Sequence, residues 1–220
     1  KQPIMEDLNS WNPTKGTPQG AVLSPLLANI YINDLDWLLQ AEFQLVRYAD
    51  DFVILCKSEA EAELALEKVK SWMHDNELEL HPTKTKIVCE SEDEDGFDVL
   101  GYTFSKGKLN VRKKSHIALR DKIRALTGRS QGKSLVRIIA TLNPVLRGWF
   151  EYFKHAERWI FWTTDGFIRR RLRSILRKFN KRSTGSGRCL NDHRRWPNIY
   201  FAKLGLFTLE KAHARACKSR

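Results

Sequence analysis

The chain has 220 residues, enough for one large domain or two small ones, and its hydrophobic content of 42% is too high for a disordered protein. The sequence contains no apolar run long enough to span a bilayer and no apolar signal-peptide stretch at its start, so we expect a cytoplasmic protein without a membrane partner. Residues 1–100 carry 8 basic and 20 acidic side chains, whereas residues 101–220 carry 30 basic and 6 acidic. This asymmetry predicts a polyanionic partner for the second part, against the simpler alternative of a solvated basic surface.

The first predicted elements are a loop, a helix and a hairpin. Residues 1–23 are predicted to be turns and loop because glycine and proline recur there. Ser24 followed by Pro25 is typical of a helix start, with serine as N-cap and proline at the first helical position. Residues 45–56 are rich in β-branched and aromatic side chains and are interrupted only at Ala49–Asp51, which predicts two short strands joined by a tight turn.

A second helix and further strands complete the first part. Ser58 and Glu61 have the spacing of a capping box at the start of this helix. Residues 86–90 are predicted to be a strand, and residues 97–104 and 108–111 to be the two arms of a hairpin. The first part is therefore predicted to have an α+β fold with a mainly antiparallel sheet.

From about residue 115 the sequence becomes helical and basic. Asn143 and Pro144 are predicted to open one helix, and Asp165 to cap another helix that ends near Phe179. An all-helical basic region after an α+β region indicates a change of domain.

Two adjacent carboxylates, Asp50 and Asp51, are predicted to lie at the hairpin tip between apolar strands. Like charges this close raise each other's pKa unless a cation neutralises them, and Mg²⁺ binds carboxylate oxygens. Phosphoryl transfer with two metal ions needs such carboxylates. The tetrapeptide Tyr48–Asp51 alone leaves open the alternative in which the aspartates only favour the bend.

Four blocks of the first part resemble, in order and spacing, group II intron reverse transcriptases. Residues 47–53 resemble the active-site motif of that family, and the preceding loop 16–20 and helix 24–31 resemble its upstream segment. Residues 80–86 resemble the next block, and residues 99–102 resemble the hairpin that contacts the primer. Four blocks together are far more specific than any one of them.

The resemblance continues into the second part of the chain. Residues 142–153 resemble the thumb, or maturase region, and residues 195–207 resemble the tail found in bacterial members. The resemblance implies a partial polymerase palm with an antiparallel sheet over residues 1–114. It also implies a helical thumb/maturase RNA-binding domain over residues 115–182 and a basic tail of the maturase region over residues 183–220.

The resemblance also implies roles for particular residues. Asp50 and Asp51 would bind two Mg²⁺ ions and support attack of a primer 3′-hydroxyl on a deoxynucleoside triphosphate. Lys84 would assist departure of pyrophosphate, although an ordinary surface lysine is the alternative. The residues implied to contact substrates are Pro18, Gln19 and Gly20 for the nucleotide or template, and Gly101 and Tyr102 for the primer.

The sequence departs from the family pattern at three points. Ala21 stands where many members have a second glycine, and Glu77 stands where a glycine commonly precedes a Leu-x-Leu run. Family members also need a third carboxylate on a strand upstream of the Gly16 loop, and Asp7 has no matching context. We therefore expect the third carboxylate to lie outside this chain, with the second copy in a homodimer as one alternative source.

Arginines interspersed with aromatic residues in the region 134–182 favour RNA as the polyanionic partner. The spacing of Trp149 and Tyr152 is more typical of a helical core than of a base-stacking surface. The helix that ends at Phe179 has the alternative of lying on a membrane surface, but RNA is the better partner beside a polymerase. The candidate RNA-binding residues are Arg147, Arg169, Arg170, Arg171, Arg173 and Arg177.

Two functional hypotheses follow. The first is an RNA-directed DNA polymerase with a maturase role, whose partners are intron RNA, an RNA template, a DNA primer and a deoxynucleoside triphosphate. The second is a catalytically incomplete RNA-binding module that assists intron splicing. The spacing of Cys189, His193, His213 and Cys217 would permit zinc, but neither half has a CxxC knuckle, so we expect no zinc site.

Overall fold

The computed structural model describes residues 4–6, 9–11, 22–89, 96–180 and 190–218. The chain divides into two compact units, residues 1–89 and residues 90–220. The domain boundary predicted from the sequence, where an α+β region gives way to a basic helical one, falls after residue 114 instead. The two divisions differ because strands that follow residue 96 pack against helices of the second unit, as the contacts described below demonstrate.

The described residues of the first unit form two antiparallel hairpins and two helices. Strand β1 (Ile4–Glu6) pairs with β2 (Asn9–Trp11). After helix α1 (Ser24–Gln40), strand β3 (Gln44–Tyr48) pairs with β4 (Asp51–Leu55), and helix α2 (Glu59–Asp75) follows. The predicted hairpin over residues 45–56 is confirmed, and so is a helix that begins at Ser24. The predicted cap is wrong, because the N-cap position belongs to Leu23 and Ser24 is the first helical residue.

The strand predicted over residues 86–90 is wrong for the part that the structure describes, because residues 85–89 are irregular. Ile87 is exposed, and no strand among the described residues pairs with this stretch. An apolar run that lies beside no other strand gains no inter-strand hydrogen bonds, so its residue types alone do not make it a strand.

The capping box predicted at the start of α2 forms with one shift. The Ser58 hydroxyl accepts a hydrogen bond from the Glu61 backbone N–H at 3.2 Å. The Glu61 carboxylate accepts from the backbone N–H of Lys57 at 2.6 Å, one residue before the expected partner. The two hydrogen bonds satisfy the backbone N–H groups of Lys57 and Glu61 at the start of α2.

The core of the first unit lies between α1 and α2, with the β3–β4 hairpin packed beside it. Its buried residues are Leu35, Leu39, Phe43, Ala65, Val69 and Met73, and the hairpin adds Leu45, Phe52 and Ile54. The hairpin thus has one face against the core, while its turn projects from the end of the strands.

The second unit begins with a three-stranded antiparallel sheet of β5 (Phe97–Val99), β6 (Tyr102–Ser105) and β7 (Lys108–Val111), in that order. The hairpin predicted to turn near residues 105–107 is confirmed. The single arm predicted over residues 97–104 is wrong, because a second tight turn at residues 100 and 101 divides it into two strands.

Six helices follow the sheet in the part of the chain that the structure describes, and the longest two carry most of the core. The buried side chains of α4 and α5 include Ile139, Leu142 and Leu146 facing Phe161 and Ile168 in one cluster. None of the helices in the described ranges is both long and apolar enough to cross a membrane. The helices are α3 (Lys113–Leu126), α4 (Leu135–Phe153), α5 (Arg158–Phe179), α6 (Leu190–Arg195), α7 (Asn198–Lys203) and α8 (Leu209–Lys218).

Two predicted helix starts in the second unit are wrong. Pro144 lies inside α4 rather than at its beginning. Pro144 and Ala140 are both exposed, so the Ala140 carbonyl that loses its helical donor faces solvent and can bind water. Asp165 lies in the middle of α5, where its carboxylate accepts from the backbone N–H groups of Leu209 and Glu210, both at 3.1 Å. It therefore caps the start of α8, a helix distant in sequence.

Candidate functional site

Asp50 and Asp51 lie at the tip of the β3–β4 hairpin, and both are exposed. The register pairs Tyr48 with Asp51, so the loop consists of Ala49 and Asp50. Ala49 has a φ of 56°, which is a left-handed conformation. Glycine adopts this conformation readily, whereas residues with a Cβ adopt it at a steric cost. The tight turn places two consecutive aspartates where the apolar strands end.

Arg47 connects this turn to helix α1. Its guanidinium donates to both oxygens of Asp36, from Nε at 2.7 Å and from NH2 at 2.5 Å. The remaining nitrogen, NH1, donates to Asn29 Oδ1 at 2.9 Å and to the Ala49 carbonyl at 2.8 Å. The hydrogen bond with Asp36 is the main cause of the raised pKa of Arg47, and the Asp36 charge adds to it, while burial opposes the shift.

The other residues with implied roles in the first unit have different positions. Lys84 is exposed and lies in a turn. The backbone N–H of Lys84 donates to the His81 carbonyl at 3.3 Å. Within the described ranges, no hydrogen bond or ion pair joins the Lys84 side chain to Asp50 or Asp51. The loop residues Pro18, Gln19 and Gly20 fall outside the residues that the structure describes.

The implied primer hairpin lies in the second unit. Leu100 and Gly101 form its two-residue turn with φ of 48° and 82°. A Cβ at Gly101 would lie 3.3 Å from Ser115 Oγ and 3.4 Å from Phe153 Cζ, so this turn packs closely on helices α3 and α4. The Tyr102 hydroxyl donates to the Tyr152 carbonyl at 2.5 Å, and burial is the main cause of its raised pKa.

Arg173 is the clearest correction to the predicted RNA-binding set. It is only 2% exposed, and its Nε donates to the Trp196 carbonyl at 3.0 Å. Its NH2 donates to Asn198 Oδ1 at 2.8 Å, and its guanidinium lies over the Phe201 ring at 5.4 Å. Burial lowers the pKa of Arg173, as expected for a cation removed from water. The side chain joins α5 to α7, so the prediction that it contacts RNA is wrong.

Two neighbouring arginines of α5 also make protein contacts. Arg171 donates to the hydroxyl and the carbonyl of Thr127 at 2.9 and 2.8 Å, and Arg177 donates to Asp192 at 2.8 Å. Arg169 lies 3.9 Å from the buried Asp165. Helical spacing could not separate Arg171 and Arg177 from solvent-facing residues, because Thr127 precedes α5 and Asp192 follows it.

Three guanidinium groups lie around the buried ring of Phe167. Arg120, Arg124 and Arg170 lie 4.5, 5.5 and 5.3 Å from its centroid, and Phe167 is 6% exposed. Asp121 forms an ion pair with Arg124. We call Arg120, Arg124 and Arg170 the Phe167 arginine cluster. Arg147, on α4, is exposed and lies over the Phe207 ring at 4.7 Å.

The cysteine and histidine residues weighed for zinc do not form a described metal cluster. His213 stacks on Phe161 with ring centroids 4.8 Å apart, and Cys217 Sγ lies 3.7 Å from its Nε2. His193 is exposed, and Cys189 lies outside the described residues. Across the described ranges, no three His, Cys, Asp or Glu side chains are grouped to hold a metal ion.

Sequence reasoning missed Asn29 and Asp36 as partners of the aspartate turn. They are seven residues apart, which is two helical turns, so both lie on one face of α1. A polar pair at this spacing, followed by an arginine three residues before Asp50, is a signal that the sequence contains. It is not specific by itself, because surface helices often carry such pairs.

Two family comparisons cover most of the chain. Residues 6–104 match the reverse transcriptase (RNA-dependent DNA polymerase) family. Residues 117–196 match the group II intron maturase-specific domain. A search of the curated proteins gave no match.

An antiparallel hairpin with paired aspartates, followed by a basic helical unit, is the arrangement of a polymerase palm joined to a helical domain. With the two matched regions in this order, the chain belongs to the group II intron-encoded reverse transcriptases/maturases. The predicted family and the predicted α+β fold with a helical second part are thereby confirmed, and the family implies nucleic acid as partner.

Proposed function

We propose that the first unit contributes Asp50 and Asp51 to RNA-directed DNA synthesis, in which a primer 3′-hydroxyl attacks a deoxynucleoside triphosphate. The observation that carries this proposal is the exposed pair of adjacent carboxylates at a hairpin tip inside the region matched to reverse transcriptases. Such a pair is unfavourable without a cation and suits a hard divalent ion.

The donor set fits Mg²⁺ in part. Within the described ranges, no side chain donates a hydrogen bond or forms an ion pair to Asp50 or Asp51, so their oxygens are available as ligands. Bound Mg²⁺ would supply charge for activating the hydroxyl and stabilising the leaving oxygen. The described residues offer two carboxylates at this turn, and the third that the family pattern implies is not among them.

Other residues of the chain would bind and orient the substrates. Gln19, with Pro18 and Gly20, would contact the nucleotide or the template, and Lys84 would offer a cation to the leaving pyrophosphate. Tyr102 and Gly101 would support the primer through backbone rather than through the Tyr102 hydroxyl, which already donates to Tyr152.

A test compares primer extension on an RNA template by the full chain with that of Asp50→Asn and Asp51→Asn. Asp34→Asn is the matched control, because Asp34 is an exposed aspartate of α1. Extension by the chain, with the third carboxylate supplied by a second copy, should be abolished by the two tip substitutions and retained in the control. Iron(II) in place of Mg²⁺, with added hydrogen peroxide as the oxidant, gives a second readout, because hydroxyl radicals formed at the bound ion should cut the backbone beside residues 50 and 51.

For the second unit we propose intron RNA binding through the Phe167 arginine cluster together with Arg147. Guanidinium groups held close together on an aromatic ring carry a charge density that phosphates neutralise. The neighbouring Arg171 has a lowered pKa mainly through burial, and the charges of Arg124 and Arg129 lower it further. Positive charge concentrated in this way supports a polyanion as ligand.

The RNA proposal is tested by titrating a group II intron RNA at several salt concentrations. Each arginine that no longer neutralises a phosphate should reduce the slope of log affinity against log salt by about 0.9 or less. Arg120→Gln and Arg147→Gln should each lower affinity and slope. Arg158→Gln is the control, because its exposed guanidinium is already paired with Glu210 at 2.8 Å.

The maturase match supports a second candidate, a module that assists splicing without polymerising. A folded chain that binds intron RNA and accelerates splicing, but does not extend a primer, would favour this candidate. Extension that Asp50→Asn abolishes would favour the polymerase.

A further inference from the structure

We propose that Arg47 is a positioning residue for the polymerase site, because it fixes the turn that presents Asp50 and Asp51 against helix α1. The inference rests on the proposed function, in which those two carboxylates bind metal. Arg47 itself does not touch them; it acts through the backbone of the turn and through its anchors on α1, Asn29 and Asp36.

The guanidinium uses all three of its nitrogens in this connection. Nε and NH2 form a bidentate pair with Asp36, which sets the plane of the group. In that plane NH1 reaches both Asn29 and the carbonyl of Ala49. A lysine could hold the charge of Asp36 but could not present a second donor in a fixed direction to the turn.

The turn needs an external restraint for two reasons. Ala49 has a φ of 56°, which is costly for a residue with a Cβ, and the carbonyl that Arg47 binds belongs to this residue. Strands β3 and β4 form a two-stranded sheet in the described part of the chain, and an isolated hairpin is marginally stable in water. Without Arg47, the direction of the two carboxylates would be poorly fixed.

The ion pair between Arg47 and Asp36 of α1 is held by the core of the first unit and is partly shielded from solvent. Leu35 and Leu39 of the same helix are buried against α2, so the face that carries Asp36 cannot move independently. The side chains of Arg47 and Asp36 are 13% and 17% exposed, and a pair shielded to this degree is less weakened by solvent and salt than a surface pair.

The experiment uses four variants of the full chain: Arg47→Gln, Arg47→Lys, the charge exchange Arg47→Asp with Asp36→Arg, and the control Lys68→Gln. Lys68 pairs with Glu42 at 2.5 Å in the same unit and makes no contact with the turn. Hydrogen exchange of the segment 44–55 reports the order of the hairpin. Binding of Mn²⁺, followed by electron paramagnetic resonance, reports the metal site without requiring activity.

We expect Arg47→Gln to speed exchange in the hairpin and to weaken Mn²⁺ binding by at least about tenfold, because a small error in ligand placement has large effects. Helix α2 and the Lys68→Gln protein should behave as wild type. Arg47→Lys should give an intermediate loss. The charge exchange should restore the link to α1 and the unfolding temperature, but not Mn²⁺ affinity, because an aspartate cannot donate to the Ala49 carbonyl.

Wild-type exchange and wild-type Mn²⁺ affinity in Arg47→Gln would overturn the proposal. Full recovery of Mn²⁺ affinity in the charge exchange would also overturn it, because Arg47 would then be a simple structural ion pair. Failure of the proposed function gives a different result: Asp50→Asn would bind Mn²⁺ as the wild type does, while Arg47→Gln still loosened the hairpin.

Discussion

Tyr102 and Tyr152 connect a strand and a helix of the second unit through two hydrogen bonds. The Tyr102 hydroxyl donates to the Tyr152 carbonyl at 2.5 Å, and the Tyr152 hydroxyl donates to the Leu100 carbonyl at 2.8 Å. Their rings stack with centroids 6.1 Å apart. The turn at Leu100 and Gly101 is thereby attached to the end of α4, which explains why this sheet belongs to the second unit.

Tyr152→Phe tests this attachment. The ring is retained, but the Leu100 carbonyl loses its donor, so we expect the free energy of unfolding of the second unit to fall by about 1 kcal/mol. Urea unfolding of the full chain, followed by fluorescence, measures the change. Tyr48→Phe alters an exposed tyrosine of the first unit and should have little effect. An equal loss of stability in both variants would contradict the role given to Tyr152.

Arg173→Met separates a structural arginine from an RNA-binding one. The Trp196 carbonyl is left without its donor inside the protein, so we expect the free energy of unfolding to fall by about 2 kcal/mol. Arg147→Met, on the exposed surface of α4, should cost less than about 0.5 kcal/mol and should weaken RNA binding instead. An Arg173→Met protein that is stable but binds RNA weakly would reinstate the prediction from sequence.

The parts of the fold that sequence predicted are those specified by local signals. The Ser58 cap, the aspartate turn and the hairpin turn near residue 107 each depend on neighbouring residues whose types favour one local conformation. The four blocks of the first part also led to the family, and the match over residues 6–104 confirms it.

The parts that sequence missed depend on contacts between distant residues. Aspartate is a residue type typical of a helix start, but the Asp165 carboxylate caps α8, 44 residues further along the chain. Arginine is a residue type typical of nucleic-acid contacts, but the hydrogen-bond partners of Arg173 are protein residues that follow it by 23 and 25 residues. In both cases the side chain could serve either role, and only tertiary packing selects one.

His116 predicts a pH dependence of stability. Burial is the main cause of its lowered pKa, and the charge of Arg120 lowers it further. The Thr164 hydroxyl donates to the Ile160 carbonyl at 2.7 Å, so the His116 Nε2 at 3.1 Å must be the donor to Thr164. The pKa is lower in the folded state than the ordinary 6.5, so the unfolded chain takes up the proton first.

The stabilising contribution of neutral His116 is therefore complete above about pH 6.5 and is lost as the pH falls towards the folded pKa. We expect the free energy of unfolding to decrease between about pH 7 and about pH 5, and His116→Gln to flatten this part of the profile. His74→Gln is the control, because His74 is a highly exposed histidine of α2. A profile that stays as steep in His116→Gln would assign the effect to another group.

Glu77 gives the most local prediction. It follows α2 with a φ of 52°, and the turn has the hydrogen bonds of a Schellman motif: Leu78 N–H to the Met73 carbonyl at 2.8 Å and Glu77 N–H to the His74 carbonyl at 3.2 Å. The family pattern has a glycine here, and glycine adopts this conformation without a Cβ penalty. We expect Glu77→Gly to raise the free energy of unfolding of the first unit by about 1 kcal/mol. Glu77→Ala removes the same side-chain contacts but keeps the Cβ, so it should be less stable than Glu77→Gly by a similar amount; equal stability of the two variants in urea would show that the backbone at this turn is unstrained.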